Sequence, residues 1–569
     1  MKAHPPIVKI RIISGVILLV ALLLVSKLYL LQIVHGKDFV NRADAQYVRP
    51  PQYTFDRGSI YFQTKDGNLV SGATVKTGYL ITVNPKLITN AEDAYQKISK
   101  IITVDHDTFI TKATKPNDSY EEIAKRVDED KGLAINALKI SGVSIYQDKW
   151  RIYPGGDLAA QVLGFLGYQG DTLAGRYGLE RTYEGVLNRN ENSMYVNFFV
   201  ELFSNIKTIT NNEPQEGDVV TTIEPTVQSF LQDELKKTND QWSSDSTGGV
   251  IINPKTGEIY AMALYPSFDP NSFQTVSNPS VFRNDMVENV REMGSIVKAL
   301  TMASGLDSGA VTQQTTYDDT GCITVNTKKI CNYDLKARGV IPMQEVLNHS
   351  LNLGASFIAT KMGNTLFTQY LKNFGLGEKT GIDLPNEATG LISNLDSPRQ
   401  VEHDTASFGQ GIAITPMETV RALSVLANGG TLITPHVTKQ INYSIGYSKP
   451  FNAPEGKRVI SEQTSKDITS MLVTVVDNAL LNGKAKNPHY MVAAKTGTAQ
   501  MANPNGGGYY ADRYLHSFFG YFPAYNPQFL VFMYTIYPKH VDYASETLTQ
   551  PFLDISKFLI NYYEIPPDR

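Results

Sequence analysis

The chain has 569 residues, of which 42% are hydrophobic and 19% are charged, and its formal net charge is -4. The length favours more than one domain, and the composition is ordinary for a globular protein. The charge does not support a nucleic-acid partner, which would require a basic excess or a basic stripe.

A long apolar segment lies close to the N-terminus, at residues 12–34, and reads IISGVILLVALLLVSKLYLLQIV. A helix of about 20 apolar residues spans a bilayer, so the segment predicts an uncleaved transmembrane signal anchor. Its single charge, Lys27, has a stem long enough to reach toward the headgroups. The leader, residues 1–11, carries three Lys or Arg residues, which predicts a cytoplasmic N-terminus and an extracytoplasmic remainder. A cleaved signal peptide is the alternative, although no A-x-A-like cleavage site follows the segment.

The region after the apolar segment, residues 35–224, shows mixed local patterns. The sequence GYLITVNP predicts a strand, while AEDAYQKISKII and SYEEIAKRVDED predict helices. Because the region contains no obvious cluster of a nucleophile and a base, we interpret it as a non-catalytic spacer or binding module.

The remaining residues, 225–569, have a more regular pattern of helix and strand signals and begin with the amphipathic helical pattern TVQSFLQDELKK. The stretch GGVIINPKTGEIYAMAL then predicts two apolar strands around a polar turn. Strands and helices alternate from there to the end, with FLVFMYTIY as a buried strand and a capping box at residues 415–418 as a helix start. The pattern predicts a mixed α/β or α+β enzyme domain.

The two cysteines, Cys322 and Cys331, flank a β-branched run and a polar turn, as in a hairpin. A disulfide persists on an exported chain, so these residues form either a bridge or two separate thiols. A two-cysteine metal site is disfavoured because no histidine or further cysteine lies within ligand spacing.

The tripeptide Lys-Thr-Gly occurs three times, and its context separates the copies. Residues 255–257 and 379–381 lie in turn sequences rich in Gly, Asn or Pro, where turn formation accounts for them. The third copy, residues 495–497, ends an apolar strand and precedes a Gly-rich loop and the returning strand HSFFGYFPA. It predicts a hairpin that presents Lys495, Thr496 and Thr498 along a buried edge.

The pattern Ser-x-x-Lys occurs twice, and only the second copy opens a helical pattern. The copy at residues 204–207 is followed by no helix, whereas Ser295 and Lys298 follow Gly294 and open the apolar run SIVKALTMASGL. Residues three apart share a helical face, and burial beside another cation lowers a lysine pKa. The copy at Ser295 therefore suits a serine nucleophile with a lysine base, but taken alone a Ser-x-x-Lys pattern favours a polar helix start with a solvated lysine.

A third element, Ser350 and Asn352 in SLN, is the only Ser-x-Asn in the chain. Ser-x-x-Lys, Ser-x-Asn and Lys-Thr-Gly in this order form the motif set of penicillin-binding proteins and β-lactamases. The chain resembles a class B penicillin-binding protein, a monofunctional peptidoglycan D,D-transpeptidase. DRGSIYFQTKDG, RIYPGG and GRYGLE resemble pedestal motifs of that family, and YPSFDPNSF, SFGQGIAITPMETVRALSVLANGG and HSFFGYFPAYNP resemble segments of its catalytic domain. The chain departs from the family pattern at two positions, with Met293 where the family usually has Pro and Glu224 where it usually has Asp. Neither position supplies a reacting group, so the departures do not affect the expected chemistry.

The resemblance implies roles for the residues of the three motifs. The implied catalytic residues are the nucleophile Ser295, its base Lys298, the proton relay Ser350, the substrate-binding amide Asn352 and the cation Lys495. Thr496, Gly497 and Thr498 would bind substrate, and the backbone N–H groups of Ser295 and Thr498 would form an oxyanion hole. The residues at 409–411 are a candidate loop lining the cleft. Neither a metal nor an organic cofactor is expected.

The resemblance also implies the architecture and the partners. We expect a single transmembrane helix, an elongated mixed α/β pedestal of the dimerisation type at 35–224, and a transpeptidase domain at 225–569 whose antiparallel sheet is flanked by helices, as in serine β-lactamases. The implied partners are stem peptides ending in D-Ala-D-Ala, β-lactams, a polytopic glycan polymerase of the shape, elongation, division and sporulation group, and other membrane proteins of wall synthesis or division. The implied location is the bacterial cytoplasmic membrane.

Several alternatives stay open at this point. A D,D-carboxypeptidase and a catalytically silent scaffold of a wall-building complex would share parts of the motif set. A β-lactamase or a β-lactam sensor would also share it, but the short leader and the long pedestal argue against both. A bifunctional class A enzyme is disfavoured because the pedestal lacks a Glu-Asp-x-x-Phe motif. Asn352 in the middle motif favours a division enzyme over an elongation enzyme.

Overall fold

The computed structural model of the protein describes residues 6–29, 55–170, 172–189 and 216–569. The strands of these residues, in chain order, are β1 (Ile60–Gln63), β2 (Leu69–Val83), β3 (Glu121–Val127), β4 (Val143–Ile152), β5 (Leu166–Gln169), β6 (Thr172–Gly175), β7 (Gly217–Thr221), β8 (Ser246–Ile252), β9 (Ile259–Tyr265), β10 (Thr316–Asp319), β11 (Cys322–Val325), β12 (Lys328–Cys331), β13 (Gly339–Pro342), β14 (Thr431–Leu432), β15 (Thr438–Tyr443), β16 (Ser448–Pro450), β17 (Lys457–Arg458), β18 (Ala493–Ala502), β19 (Tyr509–Phe522) and β20 (Phe529–Ile536).

The α-helices of the same residues, in chain order, are α1 (Pro6–Tyr29), α2 (Ala91–Ile98), α3 (His106–Ala113), α4 (Glu129–Ala137), α5 (Ala160–Leu163), α6 (Gly178–Thr182), α7 (Glu184–Leu187), α8 (Pro225–Trp242), α9 (Asp285–Glu288), α10 (Val297–Asp307), α11 (Met343–Asn348), α12 (Asn352–Met362), α13 (Asn364–Asn373), α14 (Gln400–Ala406), α15 (Pro416–Ala427), α16 (Glu462–Thr474), α17 (Ala544–Thr547) and α18 (Thr549–Tyr562).

The N-terminal helix α1 overlaps the segment predicted as a membrane anchor, whose residues 30–34 lie outside the described residues. In the described ranges, no helix combines the length and the apolar character that crossing a bilayer requires.

The chain divides into two compact units. The first unit contains Thr77–Trp150, and the second contains Asp56–Lys76 and Arg151–Arg569. In the first unit, β3 and β4 both pair with β2, and helices α2, α3 and α4 contribute to one apolar core. Helices α2 and α3 begin where the side chains of Asn90 and Asp105 cap free backbone N–H groups.

One helix predicted from the sequence is wrong. SYEEIAKRVDED contains the strand β3, and the helix α4 begins only after it. Ala124 and Val127 pair with Ile81 and Tyr79 of β2, and Ile123 packs against the core. Pairing with a neighbouring strand outweighs the helix preference of Glu, Ala and Lys, because propensity is a weak determinant beside tertiary contacts.

The first part of the second unit is built around strand β1. This strand pairs antiparallel with the beginning of β2 and parallel with β7. Strands β15 and β16, from much later in the chain, continue the sheet beyond β7. Residues before and after position 225 therefore share one sheet.

The centre of the second unit is a five-stranded antiparallel sheet in the order β18-β19-β20-β8-β9. Successive strand residues face opposite sides, so Phe518 packs with helices α8 and α18, while Phe519 belongs to the core that contains α10, α15 and α16. The predicted antiparallel sheet flanked by helices is confirmed, as are the hairpin of β8 and β9, the fully buried strand β20 and the capping box of Thr415 and Glu418.

Candidate active site

The predicted nucleophile, Ser295, lies in a 3-10 turn, Gly294–Ile296, that leads directly into helix α10. The α-helix itself begins at Val297, so the serine precedes the helix instead of opening it. Nζ of Lys298 lies 2.9 Å from Oγ of Ser295. The spacing of three residues thus brings the hydroxyl and the amine into contact, as the sequence predicted.

Lys298 is a buried amine, with 1% of the residue exposed. Burial, and then the charge of Lys495, holds the pKa of Lys298 well below its ordinary value. Its Nζ also donates to the Ser350 carbonyl oxygen at 2.6 Å and lies 3.3 Å from Ser350 Oγ. A lowered pKa favours the neutral amine, and a neutral amine that touches a hydroxyl is able to accept its proton.

Ser350 connects the two lysines. Its Oγ accepts a hydrogen bond from Nζ of Lys495 at 3.0 Å and faces Lys298 from the other side. The backbone at Ser350 has φ of 53°, in the left-handed region. This conformation costs a non-glycine residue about 1–3 kcal/mol and persists where the surroundings hold it. The turn therefore places the hydroxyl between two amines at the expense of local strain.

Lys495 lies on strand β18, the strand at the edge of the central sheet. It is 2% exposed, and its Nζ also donates to the Thr496 carbonyl oxygen at 3.0 Å. Burial lowers the pKa of Lys495 to about 7. This lysine therefore exists in both its charged and its neutral form near neutral pH.

The turn that carries Ser295 packs directly against the backbone of β18. Gly294 has φ of 65°, and a Cβ atom there would lie 2.6 Å from the Thr498 carbonyl oxygen. The N–H of Gly294 donates to the Gly409 carbonyl oxygen at 3.1 Å, so the loop predicted to line the cleft also contacts this turn. Only glycine tolerates both the positive φ and the close approach at position 294.

The substrate-binding residues predicted on β18 follow one another along the strand. Thr496 and Thr498 are half-buried and, being two residues apart, face the same side. Oγ1 of Thr498 accepts a hydrogen bond from the Ala544 N–H at 3.2 Å. Gly497 lies opposite Ser517 of β19, whose hydroxyl leaves no room for a Cβ atom at position 497.

The middle motif is in contact with the cysteine hairpin. Asn352 is the first residue of helix α12, and its Nδ2 donates to the Cys331 carbonyl oxygen at 2.8 Å. Cys331 and Cys322 face each other across β11 and β12 and form a disulfide. The rival Ser-x-x-Lys at 204–207 lies outside the described residues.

Several residues that support the site were not predicted from the sequence. Ser517 donates from Oγ to the Met293 carbonyl oxygen at 2.8 Å and so supports the turn before Ser295. Its only signal is a small polar residue inside the apolar strand HSFFGYF. Glu292 accepts hydrogen bonds from Tyr509 at 3.0 Å and from the Gly411 N–H at 2.9 Å. Because Tyr509 and Glu292 are 217 residues apart in sequence, no local sequence pattern predicts their contact.

The assembled groups suit acyl transfer. Ser295, Lys298, Ser350 and Lys495 form one continuous set of contacts between 2.6 and 3.3 Å. A hydroxyl beside a buried amine of lowered pKa suits an activated nucleophile, and a second hydroxyl beside the same amine offers a path for the proton. A buried ammonium attracts an anionic substrate.

Two domain families of penicillin-binding proteins together match most of the chain. The penicillin binding protein transpeptidase domain matches residues 247–556, and the penicillin-binding protein dimerisation domain matches residues 54–222.

Individual relatives match along nearly the whole length. Stage V sporulation protein D of Bacillus subtilis is 31% identical over 558 residues, which cover 95% of this chain and 83% of that protein. Peptidoglycan D,D-transpeptidase FtsI of Buchnera aphidicola is 26% identical, with 98% of this chain and 95% of that protein covered. The crystal structure of penicillin binding protein 2X from Streptococcus thermophilus superimposes with a TM-score of 0.74 at 18% identity, covering 90% of this chain and 80% of that one, so it shares the fold.

Proposed function

Because the chain belongs to the class B penicillin-binding proteins, the serine-type peptidoglycan D,D-transpeptidases of cell-wall synthesis, we propose that its acyl-enzyme forms on Ser295. Lys298 takes the proton from the Ser295 hydroxyl as Oγ attacks the carbonyl carbon between the two D-alanines of a stem peptide. The bond to the terminal D-Ala breaks, and Ser350 passes the proton to the leaving nitrogen. An amine of a second stem peptide then attacks the ester, forms the cross-link and releases Ser295.

The other motif residues bind and orient the substrate in this proposal. Lys495 supplies positive potential for the substrate carboxylate, which Thr496 and Thr498 bind beside Gly497. Asn352 hydrogen-bonds the peptide backbone of the donor. The N–H groups of Ser295 and Thr498 stabilise the oxyanion, and loss of one such donor costs about 3–4 kcal/mol. A β-lactam imitates the D-Ala-D-Ala unit and acylates the same serine.

The observation that carries the proposal is the contact of 2.9 Å between Lys298 Nζ and Ser295 Oγ, with Ser350 linking Lys298 to Lys495. Labelling with a fluorescent penicillin tests it. We expect Ser295→Ala to abolish covalent labelling and Ser204→Ala, in the other Ser-x-x-Lys, to label like the wild type. Labelling of Ser295→Ala at the wild-type level would rule out this nucleophile.

We further propose that residues 12–34 anchor the protein in the cytoplasmic membrane and that it acts in septal wall synthesis with a polytopic polymerase of the shape, elongation, division and sporulation group. The apolar run and the basic leader support the anchor, and Asn352 of the middle motif favours the septal role. A fluorescent protein fused to the N-terminus tests both parts. We expect signal at the division site, and diffuse signal when residues 6–29 are deleted. Uniform labelling of the lateral membrane would contradict the septal role, and unchanged membrane signal after the deletion would contradict the anchor.

A further inference from the structure

The turn at residues 350–352 and the helix start after it are hydrogen-bonded to the end of the hairpin of β11 and β12. Nδ2 of Asn352 donates to the Cys331 carbonyl oxygen at 2.8 Å. The N–H of the next residue, Leu353, donates to Oδ1 of Asn332 at 3.2 Å. Two successive hairpin residues therefore bind the first two residues of helix α12.

Asn332 is itself fixed in a buried polar network. It is 1% exposed, and its Nδ2 donates to Oδ1 of Asp319 at 2.7 Å. Oδ2 of Asp319 lies 3.5 Å from Nη1 of Arg338, and Asp319 is fully buried. The amide has one possible orientation, because a reversed amide would point its NH2 at the Leu353 N–H and its oxygen at the Asp319 carboxylate.

Helix α12 depends on this outside acceptor. The first N–H groups of any helix lack acceptors within the helix. The residue before α12, Leu351, has no side chain able to cap it, so the oxygen of Asn332 serves a donor at the helix start. The same helix start follows Ser350, whose left-handed backbone requires support from its neighbours.

We propose that Asn332 is a positioning residue for acyl transfer, which fixes the start of helix α12 and thereby holds the Ser350 hydroxyl between Lys298 and Lys495. The inference rests on the proposed roles of Ser350 and Asn352. In this role, the Asn332 side chain contacts neither the substrate nor Ser295. It acts by keeping the turn in a conformation that the backbone alone disfavours.

The variant Asn332→Asp tests the proposal with little change of shape. It keeps an oxygen toward Leu353 but sets a carboxylate against Asp319. We expect the second-order rate constant of acylation by a fluorescent penicillin at pH 7.5 to fall at least about tenfold, because a displacement of about 1 Å can cost about 100-fold in rate. As the pH falls, the two carboxyl groups share a proton, and the ratio of the variant rate to the wild-type rate should rise.

An exchange of the two side chains provides the rescue. In the double variant Asp319→Asn and Asn332→Asp, the amide at 319 donates to the carboxylate at 332, which still accepts from Leu353. The exchange removes one weak contact, because the Gly321 N–H donates to Oδ1 of Asp319 at 3.3 Å and an NH2 group cannot accept it. We expect this variant to recover most of the lost rate at pH 7.5 and its ratio to the wild type to become independent of pH. Should Asn332→Asp not fold, the exchange variant decides alone: rapid acylation supports the proposal, and a folded but slow protein overturns it.

The control is Asn326→Asp, the same substitution at the exposed turn of the same hairpin, where the side chain accepts from the Val401 N–H. It should acylate at the wild-type rate. Thermal unfolding is measured for every variant. An Asn332→Asp protein that melts at a lower temperature yet acylates like the wild type at every pH would show that Asn332 only stabilises the fold. Failure of the wild type to acylate at Ser295 would instead overturn the proposed function, so the two failures are distinguishable.

Discussion

At the scale of single residues, the site gives two identical side chains different properties. Lys298 and Lys495 are both buried, but only the pKa of Lys298 is lowered by burial and by a neighbouring ammonium together. Burial and the charge of Lys495 together favour the neutral form of Lys298, whereas burial alone lowers the pKa of Lys495 to about 7. The proposed base and the proposed substrate-binding cation are therefore two lysines of different environment, and one hydroxyl, Ser350, contacts both.

This difference predicts the pH dependence of acylation by penicillin. The rate should rise as Lys298 loses its proton and fall above about pH 7, where Lys495 loses its charge. In Lys495→Gln the falling limb should disappear, and the rising limb should move to higher pH because the charge that lowers the Lys298 pKa is gone. The rate at pH 7 should drop about 100-fold, the usual effect of removing a preorganised charge-stabilising group. A variant profile with the limbs of the wild type would contradict the assignment.

The sequence predicted the residues that the structure brings into contact, but not the groups that hold them. The spacing and the order of motifs can be read from the amino-acid sequence alone. They were enough to predict Ser295, Lys298, Ser350 and Lys495 as site residues. The left-handed backbone of Ser350 and the support from Asn332 and Ser517 depend on contacts between distant segments. Single polar residues in apolar or turn sequences carry no pattern that distinguishes a supporting side chain from an ordinary one.

At the scale of elements, three separate motifs of the pedestal region prove to form one ion-pair cluster. Glu180 accepts hydrogen bonds from Nε of Arg57 at 2.7 Å and from Nε of Arg151 at 2.6 Å. Burial raises the pKa of Glu180, but the two guanidinium groups outweigh burial and keep it below its ordinary value. Each of the stretches DRGS, RIYPGG and GRYGLE contributes one member, so the motifs join strand β4, helix α6 and the segment before β1.

Elements were predictable where local pattern and tertiary environment agree. The apolar strands β8 and β9 and the amphipathic helix α8 fold as their patterns indicate. Strand β3 does not, because its residues favour a helix while its position beside β2 demands a strand. Helix α10 begins two residues after Ser295, since Gly294 adopts a positive φ to pass β18. In both cases a contact with a strand distant in sequence decides the local structure.

At the scale of the whole molecule, the two units have separate apolar cores. The core of the first unit consists of residues between 79 and 145, including Phe109 and Ile135. The two larger clusters, in the second unit, include none of those residues among the described part of the chain. The site residues at 295, 298, 350 and 495 all belong to the second unit.

Separate cores predict separate unfolding transitions. We expect calorimetry of the full chain to resolve two transitions, since the apolar clusters of the two units share no residue. Acylation by penicillin should raise the melting temperature of the larger transition alone, because a ligand stabilises only the folded unit that binds it. The variant Ser295→Ala should show both transitions but no shift with penicillin. A single cooperative transition, or equal shifts of both, would mean that the two cores unfold as one and that ligation at the site stabilises Thr77–Trp150 as well.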